Sequence, residues 1–245
     1  MIRGASELRE AYRKESVARS YVEERFKQPL GALLHARQSE ALRRFIRRVA
    51  PDRVLEIAPG PARLTSETLG VFKGYGVMLD ASAQMLTEGR RRLAASTTWH
   101  AVQGDVFSLP FRSEFDLAYT FRLIRHFERS DRLRIYAQLA RVLKRGGRLM
   151  FDAVNETISA SLRKAAPGEY QHFDALMRPD ELREELHEGG FALEGMQGVQ
   201  HRHALMGRAQ VLVAPRSRLL ARVAMECLDR SGGEPLEWIV TCRRQ

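Results

Sequence analysis

A turn rich in glycine and proline is the first stretch of the chain with the chemistry of a binding site. It comprises Pro59-Gly60-Pro61 and follows the apolar run Val54 to Ile57. Gly60 lets the chain turn with no Cβ in the way, and Pro61 suits the first turn of a following helix. The backbone of such a turn is open to a ligand.

An acidic residue, Asp80, ends the next apolar run, twenty residues after Gly60. A carboxylate at this distance from a glycine turn can accept hydrogen bonds from the hydroxyl groups of a ribose. The alternative is a helix-capping role for Asp80, but Ser82 already provides that cap. We therefore favour a ribose-containing ligand.

The spacing of the glycines separates two kinds of nucleotide site. A dinucleotide site requires G-x-G-x-x-G, in which the third glycine lets the helix pack closely on the strand. The corresponding residues here are Ala58, Gly60 and Arg63. An arginine at the third position argues against a dinucleotide.

The stretch Val54 to Ala62 resembles motif I of the class I S-adenosylmethionine-dependent methyltransferases, which reads hydrophobic-x-(Asp/Glu)-hydrophobic-Gly-x-Gly-x-Gly. Only Gly60 is present among the three glycines, because Ala58 and Ala62 stand at the other two positions. We expect the two extra methyl groups to narrow the approach to the methionine part of the cofactor. Asp80 to Leu86 resembles motif II, in which a serine cap and a Met-Leu helix follow a strand-terminal acid.

Two further motifs extend the resemblance. Gly104 to Phe111 resembles motif III, in which the acid after the glycine binds the adenine amino group and the next backbone N–H reaches a ring nitrogen. Phe115 to Thr120 matches motif IV, and the four motifs lie in register between Val49 and Val154. The resemblance implies S-adenosylmethionine as the cofactor. The residues it places in contact with the cofactor are Glu56, Ala58, Gly60, Asp80, Ala81, Asp105, Val106 and Phe121.

The predicted strands and helices around these residues indicate an α/β fold. Apolar runs predict strands at 54–57, 74–80, 99–103, 115–120, 148–154, 191–196 and 238–242. The resemblance implies a Rossmann-like, doubly wound sheet of seven strands, mostly parallel with an antiparallel last strand, plus N-terminal helices. Apolar residues also recur at helical spacing late in the chain, at Leu219, Leu220, Val223, Ala224 and Leu228.

The chain is predicted to have two parts. Residues 1–50 form an N-terminal helical segment, and residues 51–245 form the S-adenosylmethionine-binding methyltransferase domain. Related methyltransferases often carry such a segment as a lid over the cofactor and the substrate. The alternative is that its aromatic residues only dock it on the domain.

Three polar residues follow the predicted strand 115–120, where the resemblance places the reactive methyl group: Arg122, Arg125 and His126. Methyl transfer from a sulfonium is an in-line displacement that needs orientation and exclusion of water, so we expect neither a catalytic triad nor a metal site. Two permanent cations and a group that titrates near neutrality favour an anionic, phenolic or enolic acceptor. We predict a catalytic role for all three, with His126 as general base. The alternative is packing for His126 and solvent exposure for the arginines.

The predicted function is methylation of a small molecule, with transfer to oxygen, carbon or nitrogen left open. The chain has neither an Asn-Pro-Pro-Tyr or Asp-Pro-Pro-Tyr sequence after the strand 115–120 nor a Pro-Cys nucleophile, the features associated with base methylation. Two alternatives remain. One is an RNA methyltransferase, and the other is an S-adenosylmethionine-binding protein without transferase activity, which the altered motif I keeps open.

The charge of the chain is a further indication about partners. The 245 residues carry a formal net charge of +10, with 5 lysines and 35 arginines among the 40 basic residues. So high an arginine share fits the codon bias of a GC-rich genome, and the arginines are spread along the chain, so we do not expect nucleic acid as a partner. No apolar run is long enough to span a bilayer and no signal peptide is recognisable, which predicts a cytoplasmic protein. The oligomeric state is left open.

Overall fold

The structure is a computed structural model that describes residues 26–94, 96–166, 168 and 173–245. Its described part contains eight strands: β1 Arg53–Ile57, β2 Tyr75–Asp80, β3 Trp99–Gln103, β4 Phe115–Thr120, β5 Leu143–Asn155, β6 Leu176–Met177, β7 Phe191–His201 and β8 Pro235–Arg244. They form one sheet with the order β3-β2-β1-β4-β5-β8-β7, and β6 pairs with β5 off this path. All strand pairings are parallel except those of β8 with β5 and β7.

Helices cover both faces of the sheet. They are α1 Pro29–Val49, α2 Arg63–Thr68, α3 Ala83–Arg92, α4 Arg129–Val142, α5 Glu156–Ala165, α6 Pro179–Glu188, α7 His203–Leu212 and α8 Arg218–Arg230. A short 3₁₀ helix spans Ile124–His126. One core contains the apolar residues of α4 and α6, and a second core contains those of α1, α2 and α3. Alternate residues of the strands enter the two cores, as a doubly wound sheet requires.

The predicted Rossmann-like fold is confirmed, with two differences in detail. The sheet has eight strands instead of seven, because the two residues of β6 pair with Val154 and Asn155 at the end of β5. The strand predicted at 148–154 begins earlier, at Leu143, so residues 144–147 also belong to β5. Leu143 pairs with Phe115 of β4, and a register shift before Leu117 lets the strand begin this early. Neither difference changes the order of the strands that surround the site.

The helix α1 is part of the domain core. Pro29 occupies its first turn, and Leu42, Phe45 and Ile46 are buried in the second core. The helix ends at Ala50, whose backbone is left-handed with φ 46°. Residues 1–25 of the predicted N-terminal helical segment lie outside the described residues, so the lid role of residues 1–50 stays a prediction.

A buried carboxyl group connects three elements beside the glycine turn. Glu56 of β1 is 3% exposed, and its Oε2 accepts hydrogen bonds from the hydroxyls of Thr65 in α2 and Tyr119 in β4, the latter at 2.8 Å. Burial raises the pKa of Glu56 to about 7, although the two hydroxyl groups and the charge of Arg63 act in the opposite direction. The carboxyl group therefore holds α2 and β4 against β1.

Replacement of Glu56 by glutamine should remove a pH dependence of stability. The pKa of Glu56 is about 7 in the folded state against 4.5 ordinarily, so between these values the folded state holds a proton that the unfolded state has lost. Stability therefore declines as the pH rises through this window. Glu56→Gln keeps an oxygen acceptor without a charge, and near neutral or higher pH it should be more stable than the wild type by up to about 3 kcal/mol.

Urea unfolding measured across this pH range tests the effect. The exposed Glu184 of α6 provides a control, because Glu184→Gln should follow the wild-type curve. A Glu56→Gln curve that runs parallel to the wild type would contradict the assignment of this pH dependence to Glu56.

Candidate functional site at the carboxyl edge of the sheet

The predicted cofactor residues meet at the carboxyl edge of β1, β2 and β3. Ile57 pairs with Leu79, and Asp80 pairs with Gln103, so the three strands end side by side. The N–H of Ala58 donates to the carbonyl of Leu79 at 2.8 Å, which fixes the start of the turn against β2. Open α/β sheets bind ligands outside this edge.

The turn after β1 has the backbone of a glycine motif, although two of its residues are alanines. Ala58, Gly60 and Ala62 are all left-handed, with φ of 52°, 56° and 56°. A residue with a Cβ pays about 1–2 kcal/mol for this conformation, and glycine does not. The alanines therefore preserve the shape of motif I at a cost in conformational energy.

The two methyl groups of the turn lie in different environments. Ala62 is fully buried in the second core, and a Cβ placed on Gly89 of α3 would lie 3.2 Å from its methyl carbon. The expectation that both methyl groups narrow the cofactor approach is therefore wrong for Ala62, because its methyl group packs against α3. Ala58 is half-buried and keeps the narrowing role as a prediction.

Gly60 leaves space for a ligand beside the backbone. A Cβ placed on Gly60 would meet no atom closer than the Sδ of Met85, at 4.0 Å. The N–H of Gly60 donates to the Oδ2 of Asp80 at 3.1 Å. The turn is thus both open to a ligand and tied to the acid at the end of β2.

Asp80 has the properties of a ribose acceptor. Its Oδ1 accepts from the N–H of Ser82 at 2.9 Å, and its Oδ2 accepts from Gly60. Burial raises the pKa of Asp80 to about 6, although backbone N–H groups lower it. Two carboxylate oxygens offer about four acceptor positions, and the backbone N–H groups of Ser82, Gly60 and Ala81 use three of them, so capacity remains for a ribose hydroxyl. This donor and acceptor chemistry fits S-adenosylmethionine.

The remaining predicted cofactor residues follow the neighbouring strands. Asp105 lies two residues beyond β3, and its Oδ1 accepts from the N–H of Phe107 at 3.1 Å, which shapes the loop that contains Val106. Ala81 is exposed directly after β2, and Phe121 is buried directly after β4. Glu56 differs from these residues, because its buried carboxyl group is hydrogen-bonded to Thr65 of α2 and Tyr119 of β4. A direct contact of any of these residues with the cofactor stays a prediction.

Arg63, which stands at the third glycine position of a dinucleotide motif, has a structural role. Arg63 opens α2 and is buried, with Nη1 2.7 Å from the Nδ1 of His35 and Nη2 donating to Gln38 at 2.7 Å. Its guanidinium carbon lies 4.0 Å from the centre of the Phe26 ring. Arg63 therefore docks α1 on the glycine turn.

A buried ion cluster lies beyond the carboxyl end of β4. The guanidinium of Arg125 contacts the carboxylate of Asp152 in β5 and donates to the Oε1 of Glu237 in β8 at 2.8 Å. Arg125 is 4% exposed, which contradicts the alternative that this arginine faces solvent. Burial alone would raise the pKa of Glu237, but the charge of Arg125 holds it below its usual range. This cation is engaged in holding β4, β5 and β8 together.

Arg122 is anchored to the same cluster. Its backbone is left-handed, with φ 61°, and its N–H donates to the Oδ1 of Asp152 at 2.6 Å. Arg122 is half-buried, so the alternative that the arginines are exposed to solvent is wrong for this residue as well. A non-glycine residue in this conformation must be held by its surroundings, and here Asp152 holds it.

His126 forms a dyad with an acid that follows α5. Its Nδ1 lies 2.9 Å from the carbonyl oxygen of Phe173 and 3.0 Å from the Oδ1 of Asp174. Both partners are acceptors, so the network assigns the proton of the neutral ring to Nδ1 and makes Nε2 the basic nitrogen. Burial alone would raise the pKa of Asp174, but His126, Arg125 and Arg163 lower it well below its usual range.

Three functional candidates were missed by sequence reasoning: Asp152, Asp174 and Glu237. Asp152 lies on a predicted strand, and its position near the carboxyl end of that strand was a signal that could have been used. Asp174 and Glu237 belong to segments without a recognisable motif. Only the fold brings them to His126 and Arg125. Among the described residues, no group of three or more His, Cys, Asp or Glu side chains is arranged to hold a metal ion.

Sequence comparison identifies related enzymes. A family model described as a methyltransferase domain matches residues 54–147. The chain is 30% identical over 191 residues to a demethylmenaquinone methyltransferase of Clavibacter sepedonicus, with 68% of this chain and 74% of the relative covered. It is 29% identical over 129 residues to a malonyl-[acyl-carrier protein] O-methyltransferase of Legionella pneumophila, with 51% of this chain covered. The chain spans 45% of that relative, and 60% of a Methylococcus capsulatus enzyme of the same name.

Solved structures show the same fold. A methyltransferase of Thermotoga maritima, described as a possible histamine N-methyltransferase, has a TM-score of 0.65 at 16% identity, with 94% of this chain and 98% of that chain covered. The magnesium protoporphyrin IX methyltransferase of Synechocystis PCC 6803, solved with S-adenosylhomocysteine, has a TM-score of 0.62 at 13% identity, with 89% and 86% covered. The sequence relatives, the fold and the geometry of the turn agree, and the chain belongs to the class I S-adenosylmethionine-dependent methyltransferases, with S-adenosylmethionine as its cofactor.

Proposed function

We propose that this protein transfers a methyl group from S-adenosylmethionine to a small organic acceptor that carries a carboxylate, phenolate or polarised enol. The observation that carries the proposal is the adjacency of two clusters at one edge of the sheet. The cofactor residues Gly60, Asp80 and Asp105 lie at the ends of β1, β2 and β3, and Arg122 and His126 follow the neighbouring β4. Their acidic partners are Asp152 within β5 and Asp174 after α5. The relatives include a demethylmenaquinone methyltransferase, which supports a small-molecule acceptor.

The cofactor side of the site is formed by backbone and carboxylate groups. Asp80 accepts hydrogen bonds from the ribose hydroxyls, Asp105 and Val106 lie at the adenine, and the turn around Gly60 faces the methionine part. Ala58, Ala81 and Phe121 complete the contacts. When bound, S-adenosylmethionine supplies a methyl group on a positively charged sulfur that is already a good leaving group. The chain therefore has to orient the acceptor and exclude water.

The acceptor side requires different roles for the three residues after β4. Both Nη atoms of Arg125 are bound by Asp152 and Glu237, so we assign it as a positioning residue. Arg122 supplies a half-buried guanidinium that favours an anionic acceptor. His126 accepts the acceptor's proton on Nε2, while Asp174 orients the ring and stabilises the charge that develops on it.

Simple binding and activity measurements distinguish the proposed function from two alternative functions. An S-adenosylmethionine-binding protein without transferase activity would bind the cofactor and release no S-adenosylhomocysteine with any acceptor. An RNA methyltransferase would bind RNA tightly at a salt concentration that abolishes non-specific phosphate contacts. The cytoplasmic location stays a prediction.

Removal of the ribose acceptor should weaken cofactor binding. Titration calorimetry of the wild type with S-adenosylmethionine should give a micromolar affinity, on the order of −8 kcal/mol. Asp80→Ala should lose about 1.5–3 kcal/mol, because hydrogen bonds to a charged group are lost. Asp180→Ala, which removes an exposed acid on α6, should bind as the wild type does. Unchanged affinity in Asp80→Ala, or tight NAD binding by the wild type, would contradict the proposed site.

Restoring a glycine of motif I should improve both stability and binding. Ala58→Gly removes a left-handed alanine and should raise the free energy of unfolding by about 1 kcal/mol. It also removes the methyl group beside the methionine position, so the affinity for S-adenosylmethionine should rise. Ala50→Gly is the matched control, since Ala50 is left-handed at the end of α1. Ala50→Gly should raise stability alone, and equal affinities in both variants would show that the Ala58 methyl group does not narrow the cofactor site.

Removal of the dyad should slow catalysis without affecting cofactor affinity. Once screening for S-adenosylhomocysteine release has found an acceptor, His126→Ala should lower kcat by about 10²–10⁴-fold, as expected for loss of a general base. Asp174→Asn should lower kcat less and alter the pH profile, because a neutral amide would orient the ring without stabilising its charge. His187→Ala on the exposed end of α6 is the control. Full turnover in a folded His126→Ala enzyme would assign this side chain to packing.

A further inference from the structure

The surface of the α7–α8 hairpin, residues 203–230, is unusually apolar. Seven large hydrophobic side chains are exposed among the described residues, and six of them lie on this hairpin, with exposures from 42% to 71%. They are Leu205, Val211, Leu212, Leu219, Leu220 and Val223. The helical spacing of Leu219, Leu220 and Val223 did predict the helix correctly, but these residues face outward. Clustered exposed apolar side chains mark an interaction surface.

The charges around these side chains have one sign. No acidic residue occurs between Glu194 and Glu226. Within this interval the hairpin contains the exposed arginines Arg208, Arg216, Arg218 and Arg222. An occupant of the surface must therefore be apolar where it meets the leucines and valines and negatively charged around them.

One end of the hairpin packs against the domain, and the other end is exposed to solvent. Met206 and Met225 are fully buried against Leu33 of α1, and Asp229 is paired with Arg37. From Val211 to Ala224, by contrast, Ala221 is the only buried residue of the hairpin. The exposed leucines therefore belong to the projecting end of a firmly attached element.

The observations favour a lipid surface over other occupants. A second copy of this chain would bring the same arginines face to face across a two-fold interface. A protein partner usually meets aromatic anchors, whereas the exposed side chains here are leucines and valines. Aliphatic side chains that enter a bilayer surface, with arginines at the level of the headgroups, are typical of interfacial helices.

We propose that the α7–α8 hairpin docks this protein on a membrane surface that contains anionic phospholipid. Leu212, Leu219 and Leu220 enter the boundary between headgroups and acyl chains, and the neighbouring arginines bind the phosphate groups. In the described part of the chain, no helix has the length and apolar character that crossing a membrane requires. The proposal is independent of the methyl acceptor.

Sedimentation with phospholipid vesicles tests the proposal on the full chain. The wild type should bind phosphatidylcholine vesicles that contain phosphatidylglycerol and should bind pure phosphatidylcholine much less. Leu219→Ser combined with Leu220→Ser should weaken binding by roughly tenfold or more, because two buried aliphatic side chains are lost. Arg216→Gln combined with Arg218→Gln should weaken it by roughly fivefold for each arginine. The control, Arg47→Gln with Arg112→Gln, removes the same charge from exposed positions elsewhere and should bind as the wild type does.

A fluorescent reporter provides a second measurement that does not depend on loss of binding. Trp99 and Trp238 are both buried, at 7% exposure, so Leu220→Trp adds the one exposed tryptophan of the described chain. Its emission should shift to shorter wavelength when vesicles with phosphatidylglycerol are added. The same substitution should give no shift with pure phosphatidylcholine.

Several outcomes would overturn the proposal. One is a wild type that does not bind the anionic vesicles, and another is equal loss of binding in the Arg47 and Arg112 control, which would indicate diffuse charge attraction. A wild-type dimer in solution that the Leu219 and Leu220 substitutions dissociate would assign the surface to a second copy. Unchanged S-adenosylmethionine binding in each variant confirms that it is folded, so a failure here is separate from a failure of the proposed enzyme activity.

Discussion

The buried carboxyl group of Glu56 is the interaction on which the cofactor edge depends. A carboxyl group away from water is costly unless hydrogen-bond donors reach it, and the hydroxyls of Thr65 and Tyr119 do so. Thr65 belongs to α2 and Tyr119 to β4, so the same group aligns the helix after the turn with the strand beside it. These contacts fix the elements on either side of the turn. Within the turn, the N–H of Gly60 donates a hydrogen bond to the carboxylate of Asp80.

A second buried charge organises the acceptor side. Arg125 holds Asp152 of β5 and Glu237 of β8, so the antiparallel end of the sheet is joined to the loop after β4. Buried ion pairs add little net stability once desolvation is included, but they define geometry because a displaced partner would leave an uncompensated charge. Asp152 of this cluster also accepts the N–H of the left-handed Arg122. The N–H of Ala175 donates to the carbonyl of Arg125 at 2.6 Å, which brings the adjacent Asp174 to His126. The site therefore combines a cofactor edge shaped by backbone groups with an acceptor region shaped by ions.

Helix α8 of the projecting hairpin shows what the helical spacing of apolar residues can and cannot predict. Apolar residues at helical spacing predicted α8 correctly, since one face of a helix collects side chains three and four residues apart. The same pattern is usually read as a core-facing stripe. In this fold the sheet is already covered by α1, α4 and α6, and α8 packs on the domain through Ala221, Met225 and the partly buried Leu228. The apolar stripe formed by Leu219, Leu220 and Val223 is therefore exposed on the surface of the domain.

Local chemistry in the sequence determined where the strands around the site lie along the chain, the glycine turn and the acids at Asp80 and Asp105, because short motifs and strand periodicity depend on neighbours along the chain. The extra strand β6 and the early start of β5 were not predictable, since both depend on pairing between distant segments. The tertiary structure alone decided that the Ala62 methyl group packs against α3, and that Arg125 is held by Asp152 and Glu237. It also decided that His126 meets Asp174, 48 residues away. Burial and ion pairing are set by which elements the fold brings together, and no spacing along the chain encodes that.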